Sequence, residues 1–170
     1  ALGADRGIHI DGPESLEPLT IAKLLKAVAN REEVQLLLLG KQAIDNDCNQ
    51  VAQMVSALLD WPQGTFVSSL TIKNNKCEAI REVDGGLESL SFPLPAVIST
   101  DLRLNTPRYA TLPNIMKAKQ KPLEQLSLDT LGADTSPHTK VLGVSEPVSR
   151  KSGVKVETFE DLLPIIGKVM

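Results

Sequence analysis

Aromatic residues, cysteines and histidines are scarce in this sequence, and each scarcity excludes a class of function. The 170 residues include one Trp, one Tyr and three Phe, too few for the aromatic platforms on which nucleic acid-binding proteins stack bases. The net charge of −3 also argues against nucleic acid, which is bound by basic surfaces. Cys48 and Cys77 lack metal-ligand spacing, as is typical of proteins from a reducing compartment.

Long apolar runs and catalytic motifs are absent as well. No apolar run approaches the ~20 residues of a membrane-spanning helix, and we therefore predict no membrane insertion. The sequence has no Gly-x-Ser-x-Gly nucleophile motif, no P-loop and no Gly-x-Gly-x-x-Gly motif. His9, in a predicted strand, and His138, in a polar loop, are expected to be structural or solvent-facing. We therefore predict no catalytic residues.

The most informative stretch runs from residue 36 to residue 61. Residues 36–39 (LLLL) form an apolar run that stops at Gly40, as a buried parallel strand does. A polar loop follows, and apolar residues then recur at helical spacing: Val51, Met54, Val55, Leu58 and Leu59. The loop therefore lies at the carboxyl end of a predicted parallel strand, where open α/β sheets bind ligands.

Two interpretations of this polar loop are open. In the first, Asp45, Asn46 and Asp47 cap the following helix. In the second, the loop binds an anion or a nucleotide, and Asn49 and Gln50, predicted in the first helical turn, are the best phosphate contacts. The acidic side chains would then point away from the phosphate or accept ribose hydroxyls.

Calcium binding by the same loop is not expected. Asp45, Asp47 and Asn49 have the spacing that begins a calcium loop. Gln50 stands where that loop requires Gly, and Ser56 where it requires Glu. We therefore predict no metal site.

The order of predicted elements indicates an α/β fold. A strand over residues 6–10, a helix from Pro18 to near Asn30, and the strand and helix described above give a β-α-β-α order, which predicts a parallel sheet. An antiparallel meander follows, because Asp84-Gly85 between extended runs is a strong hairpin signal. The strands of the meander, and a return strand to the parallel sheet, are predicted over residues 65–72, 76–83, 87–92 and 96–100.

Beyond residue 100 the sequence predicts an arm followed by less regular structure. Residues 101–109 lack a helical period and are expected to be extended, and a short helix begins after Thr111 and runs to about Lys119. Further predictions are a strand over residues 141–144 and a helix over residues 158–170, in which Pro164 should cause a kink or move the start to Asp161.

The short helix of the arm combines one apolar residue with several basic ones. Leu112 lies at the bend of the arm, and Lys117, Lys119 and Lys121 follow it. The lysines are either a solvated helix face or the basic rim of a docking element for an acidic partner, with Leu112 as its apolar anchor.

Several blocks of the sequence together resemble the β subunit of electron transfer flavoprotein. In order they are GKQAIDNDCNQ, WPQGTF, REVDGGLE, LPAVIST, DLRLN, PRYATLPNIMKAK and SGVKVET, and they extend over almost the whole chain. The resemblance implies an α/β, parallel-sheet, nucleotide-binding-like (adenine nucleotide hydrolase-like) domain with an inserted antiparallel hairpin meander and a C-terminal extended arm plus helix. Relative to that family, an opening strand–helix–strand portion is expected to be missing before Ala1.

The resemblance also implies a domain organisation. An incomplete α/β domain would occupy residues 1–100, with the hairpin insertion at 65–92. A recognition loop and short helix would occupy residues 101–122, and a C-terminal segment over residues 123–170 would wrap onto a partner subunit.

As a function, the resemblance implies a non-catalytic subunit of a heterodimeric electron carrier. The family's α subunit holds most of one FAD, and its β subunit binds a structural AMP. Electrons would come from acyl-CoA and related dehydrogenases and pass to a membrane quinone oxidoreductase. The implied location is the mitochondrial matrix, or the cytoplasm if the source is bacterial.

Site residues follow from the resemblance by position. The AMP loop would consist of Gly40, Lys41, Gln42, Ala43, Ile44, Asp45, Asn46, Asp47, Cys48, Asn49, Gln50 and Val51, with Asp45, Asn49 and Gln50 as the principal contacts. The recognition loop would cover residues 101–121, with Leu112 entering an apolar pocket of the dehydrogenase and Arg108, Tyr109, Pro113, Ile115 and Met116 beside it. Lys117 matches a lysine that is methylated in some members. Arg81, Glu82 and Asp84 would lie near the flavin domain of the α subunit, with Glu82 facing an arginine there.

The chain departs from the family pattern at a few of these positions. The family commonly has Asp, Thr and Gly where this chain has Asn46, Val51 and Ala52. Valine offers no hydroxyl to a phosphate, and alanine can crowd a ligand where glycine does not. Thr106 replaces a Glu in the arm, and Gln120 replaces a second methylatable lysine.

Two other functions are open, the first motivated by these departures and by the missing opening portion, the second by the broad fold. One is a degenerate β-like structural or nucleotide-sensing module that no longer transfers electrons, although retention of the arm argues against it. The other is an adenylate-forming or pyrophosphatase enzyme, which would need a Gly/Ser-rich phosphate loop that this sequence lacks.

Overall fold

Strands and helices alternate through the first half of the chain, as the sequence predicts. The computed structural model describes residues 1–13, 16–150, 152–153 and 155–167. In chain order the elements are β1 (Gly7–Asp11), α1 (Pro18–Arg31), β2 (Leu36–Gly40), α2 (Val51–Leu59), β3 (Gln63–Lys73), β4 (Lys76–Val83), β5 (Gly86–Pro93), β6 (Ala96–Thr100), α3 (Leu112–Ala118), β7 (Leu123–Ser127), a 3-10 helix (Asp129–Leu131) and α4 (Phe159–Ile166). The chain divides into two units, Ala1–His138 and Thr139–Met170.

The strands of the first unit form two sheets. Five strands are ordered β2-β6-β3-β4-β5, and β1 pairs with β7 in a separate two-stranded sheet. Within the larger sheet β2, β6 and the start of β3 are parallel, whereas β3, β4 and β5 pair antiparallel. This confirms the predicted α/β class with a parallel sheet.

Strand β3 belongs to both parts of the larger sheet. Its first residues pair in parallel with β6, and its later residues pair antiparallel with β4. The change occurs at a bulge between Gly64 and Val67, where Phe66 has a φ of 58° and its N–H donates to Ser99 Oγ at 3.0 Å. A bulge of this kind bends a strand and strengthens its twist, so the meander continues the parallel sheet instead of forming a separate layer.

The buried core lies on both faces of strand β6. Neighbouring residues of a strand point to opposite faces. Val97 packs with Ala22 of α1 and with Val55 of α2, whereas Ile98 packs with buried Val67 and Ala79 of the meander. The two helices cover one face of the sheet, and the other face is filled by residues of β3, β4, β5 and the arm.

Strand β7 is the element that the sequence interpretation missed. Its sequence, LEQLS, is low in β-branched residues, so local propensity gives little signal. It is fixed by its parallel pairing with β1, more than a hundred residues earlier, and by the Gly7 N–H, which donates to Pro122 O at 3.0 Å.

Of two predictions for the second unit, the strand is wrong and the helix is present. The strand predicted over residues 141–144 is wrong: these residues are exposed and have no regular structure, because a strand needs a partner for its backbone groups. Helix α4 starts after Thr158, whose Oγ1 accepts from the Asp161 N–H at 3.3 Å, and Pro164 lies inside it. The predicted end of this helix, including Val169, lies outside the described residues.

Candidate functional site

An open cleft lies where the parallel strands β2 and β6 end. Gly40 and Thr100 are opposite each other in the register, and the Lys41 N–H donates to Thr100 O at 3.2 Å. Because both strands run the same way, their carboxyl ends and the loops that follow meet at one edge of the sheet. The cleft has a volume of ≈ 410 Å³ and is lined by Gly40, Lys41, Gln42, Ala43, Ile44, Asp47, Thr100, Asp101 and Leu102.

The loop between β2 and α2 is folded on itself by its own polar groups. The Asp47 N–H donates to Ala43 O at 3.0 Å, the Asn46 N–H donates to Asp45 Oδ1 at 2.9 Å, and the side-chain amide of Gln42 donates to the Asp47 carboxylate. Asp47 and Asn49 have left-handed backbones, with φ of 53° and 48°. Asn and Asp tolerate this conformation better than most residues, which accounts for their use in this loop.

The helix-capping interpretation of the loop is wrong. The N-cap of α2 is Gln50, and no side chain caps the helix. Asn49 and Gln50 also precede the first turn instead of lying in it, because the positive φ of Asn49 places it outside the helix. The Asp and Asn side chains of the loop therefore have another role than capping.

One buried polar atom near this loop has no partner. Among the residues that the structure describes, Gln53 Oε1 is buried without a hydrogen bond, although Gln53 Nε2 donates to Asn49 Oδ1 at 3.3 Å. An unpaired buried acceptor is destabilising. Gln53 is not among the residues that line the cleft, so this atom is not a contact for a ligand there.

A chain of four alternating charges extends from the cleft to the meander. Lys41 Nζ donates to Asp101 Oδ2 at 2.8 Å, and Arg103 donates to Asp101 Oδ1 through Nε at 2.9 Å and through its backbone N–H at 3.1 Å. Both terminal nitrogens of Arg103 contact the carboxylate of Glu82 on β4. The Asp101 side chain is 4% exposed and that of Lys41 is 32% exposed, so a buried carboxylate connects the cleft with the arm.

These contacts shift the pKa of two groups in the chain of charges. The hydrogen bond from Arg103, followed by the one from Lys41, holds the pKa of Asp101 well below its usual range. The same bond to Asp101, together with the one to Glu82, raises the pKa of Arg103. Asp101 and Arg103 are therefore charged at neutral pH.

The arm displays a row of exposed apolar side chains. Thr111 Oγ1 accepts from the Asn114 N–H at 3.4 Å and caps α3 as predicted. Leu112 is 72% exposed and Met116 55% exposed, so neither side chain contributes much to the core of this chain. The predicted partner-binding residues Arg108, Tyr109, Pro113 and Ile115 are exposed as well.

The basic residues of the arm lie against the start of the chain. Lys121 Nζ donates to Ala4 O. A small pocket of ≈ 170 Å³ is lined by Ala1, Leu2, Gly3, Arg108, Tyr109, Asn114, Lys117 and Lys121. Lys117 itself is exposed in the last turn of α3.

The predicted site residues fall into three places. Gly40, Lys41, Gln42, Ala43, Ile44 and Asp47 are together at the cleft, whereas Asp45, Asn46, Cys48, Asn49, Gln50 and Val51 do not line it. The arm residues lie on and before α3, and Glu82 lies on β4, where its partner within the chain is Arg103. The cleft residues that sequence interpretation missed are Thr100, Asp101 and Leu102. They could have been found from the sequence, because a parallel strand was predicted to end at residue 100 and ligands bind at the ends of such strands.

Neither metal-type clusters nor membrane helices occur among the residues that the structure describes. No group of three or more His, Cys, Asp and Glu side chains could hold a metal ion there. No described helix combines the length and apolarity needed to cross a membrane.

The fold defines the class of this protein: a mixed α/β domain whose larger sheet is parallel on one side and antiparallel on the other. The model of the electron transfer flavoprotein domain family matches residues 1–131. A Mus musculus protein named electron transfer flavoprotein subunit beta is 56% identical over 173 residues, which is 99% of this chain and 68% of the relative. The Dictyostelium discoideum protein of that name is 51% identical, over 99% of this chain and 67% of the relative. In Arabidopsis thaliana, a protein named electron transfer flavoprotein subunit beta, mitochondrial, is 55% identical, over 96% of this chain and 66% of the relative.

The chain belongs to the family of electron transfer flavoprotein beta subunits, and the resemblance found in its sequence is confirmed. It is an electron transfer subunit. The family model covers the seven strands that the structure describes and the arm, and it ends at the 3-10 helix.

Proposed function

We propose that this chain is the non-catalytic β subunit of a heterodimeric electron carrier whose FAD is held mainly by an α subunit. The carrier accepts electrons from acyl-CoA and related dehydrogenases and passes them to a quinone oxidoreductase. The observation that carries this proposal is the identity above 50% to beta subunits over nearly the whole chain. The name of the Arabidopsis thaliana relative supports a mitochondrial location, and we place the protein in the matrix.

The cleft is the proposed site of a structural AMP. Its volume of ≈ 410 Å³ is within the range of small-molecule pockets, roughly 300–1,000 Å³. Lys41 and Gln42 are among the residues that line it, and both carry side-chain hydrogen-bond donors. When bound, AMP would supply a phosphate and hydroxyl groups that fix the loop between β2 and α2. The residues present therefore fit the group.

Two of the departures from the family pattern do not weaken this proposal. Val51 packs against the core cluster of α1, α2 and β6, and Ala52 is a buried member of it. Neither residue lines the cleft. A Val at position 51 and an Ala at position 52 are therefore compatible with a ligand in the cleft, because their side chains contribute to helix packing.

The arm is the proposed docking element for the dehydrogenases. Leu112 is its anchor, with Arg108, Tyr109, Pro113, Ile115 and Met116 beside it. A short helix with a few exposed apolar residues buries a small area, which gives a weak contact that dissociates quickly. A carrier needs this property, since it must leave one partner before it meets the next. Lys117, exposed on the same helix, is the proposed methylation site.

The test is to purify the protein from its native source and to record an absorbance spectrum together with a gel. A flavin spectrum with a second, larger subunit is the expected result. AMP should be released from the same sample by acid and detected by mass spectrometry. A colourless single chain would contradict the proposal and favour the structural or nucleotide-sensing module, whereas a flavin-containing dimer without AMP would remove only the nucleotide site.

A further inference from the structure

Lys41 connects the cleft with a buried carboxylate. It is among the residues that line the cleft, and its ammonium group, 5.7 Å from the centre of the Phe66 ring, is bonded to Asp101, whose side chain is 4% exposed. An anionic ligand in the cleft would attract the same ammonium group. The buried carboxylate of Asp101 would then have to share its counter-charge, and a buried charge without a counter-charge is strongly destabilising.

Arg103 supplies the second counter-charge to Asp101. It donates twice to Asp101 Oδ1, through Nε and through its backbone N–H, while Lys41 is bonded to Oδ2. Both terminal nitrogens of Arg103 are held by Glu82 on β4. Arg103 is not among the residues that line the cleft, so it reaches a ligand there only through Asp101 and Lys41.

We propose that Arg103 is a positioning residue for the ligand of the cleft. By neutralising Asp101 it leaves the Lys41 ammonium available to an anionic ligand such as the phosphate of a nucleotide. Lysine carries three donors, so Lys41 can contact a phosphate and keep one bond to Asp101 as long as Arg103 carries the other carboxylate oxygen. The inference rests on the nucleotide site proposed above and adds a residue outside it.

The test is a calorimetric titration with AMP. The sample is the full chain, together with any subunit that copurifies with it, after bound nucleotide has been removed. Arg103→Gln should weaken AMP binding roughly tenfold, the size of one lost charge-assisted hydrogen bond. The AMP affinity of Arg103→Lys, which keeps the charge and can keep one hydrogen bond, should lie between the affinities of the wild type and Arg103→Gln. Arg31→Gln is the matched control: this exposed arginine pairs with Glu124, and its loss should leave the AMP affinity unchanged.

A second background separates this positioning role from a merely structural one. In Asp101→Asn there is no buried charge to neutralise, so adding Arg103→Gln should not change the AMP affinity further. The inference would be overturned if Arg103→Gln lowered the AMP affinity equally in the wild-type and Asp101→Asn backgrounds, or if it did not lower the AMP affinity at all. If Arg103→Gln does not fold, Arg103→Lys is the criterion: an AMP affinity below that of the wild type supports the inference, and an unchanged AMP affinity overturns it. If the wild-type protein does not bind AMP, the nucleotide site is wrong and this inference falls with it, an outcome distinct from AMP binding that is insensitive to Arg103.

Discussion

Replacing Leu112 by alanine is the most direct test of the proposed docking arm. Burying a leucine side chain completely contributes about 1.5–3 kcal/mol. Leu112 is 72% exposed, so about three-quarters of that free energy, ~1–2 kcal/mol, is available to a partner. The KM for the carrier in an acyl-CoA dehydrogenase assay should therefore rise roughly 5- to 30-fold. The free energy of unfolding should change by less than about 0.5 kcal/mol, as is usual for surface substitutions.

Leu87 provides the matched control for this experiment. It is also a leucine, its exposure of 70% is nearly the same, and it lies on β5 instead of the arm. Leu87→Ala should leave the KM for the dehydrogenase unchanged. Equal effects of the two substitutions on KM, or a loss of stability in Leu112→Ala large enough to explain its KM, would refute the assignment of Leu112 as the anchor.

Three further predictions concern the body of the protein. Ile98→Ala should lower the free energy of unfolding by about 2–5 kcal/mol in urea denaturation, because Ile98 of β6 is fully buried and packs with Val67 of β3 and Ala79 of β4; a loss below about 1 kcal/mol would contradict the packing described. Contacts with Arg103 and Lys41 lower the pKa of Asp101 in the folded protein. The ionised Asp101 therefore contributes fully to the free energy of unfolding above about pH 4, and this contribution decreases as the pH falls further. The difference in urea midpoint between wild type and Asp101→Asn should therefore narrow below pH 4, and a constant difference would refute this. In thiol titration with a disulfide reagent, only Cys48 should react in the folded protein, since Cys77 is buried and burial raises its thiol pKa; two reactive thiols before denaturation would be inconsistent with the structure.

Local pattern was sufficient to predict most of the helices and strands. The helical spacing of apolar residues from Val51 onward predicts α2, and Thr111 is followed by a capped helix as expected. The predicted start of α2 lies two residues before the observed start. The period of the apolar residues says nothing about the backbone conformation of polar residues such as Asn49, whose φ of 48° excludes it from the helix. Strand β7 had no comparable signal, since its pairing with β1 depends on contacts that are distant in sequence.

The cleft was predicted in position and only partly in composition. A strand that ends at Gly40 locates one wall. The opposite wall, Thr100 to Leu102, depends on which strand lies beside β2 in the sheet. That strand is β6, which is separated from β2 in the sequence by the whole meander. The contact between Arg103 and Glu82 likewise requires the register of β4 and the course of the arm. Neither is encoded in a short motif, and sequence reasoning therefore assigned these residues to separate features.

The arm combines a fixed root with an exposed tip, and this combination bears on how a carrier could dock. At the root the Asp101 N–H donates to Val67 O at 2.9 Å, and Leu104 packs against the core of Val67, Ala79 and Ile98. At the tip α3 has no buried residue. A fixed root limits the conformations that the tip must lose on binding, which lowers the entropic cost of docking. The exposed tip keeps the contact area small, so affinity remains low even with a preorganised arm. For the proposed docking role, the division of the arm at Leu104 would therefore favour short-lived contacts, without any need for a large interface.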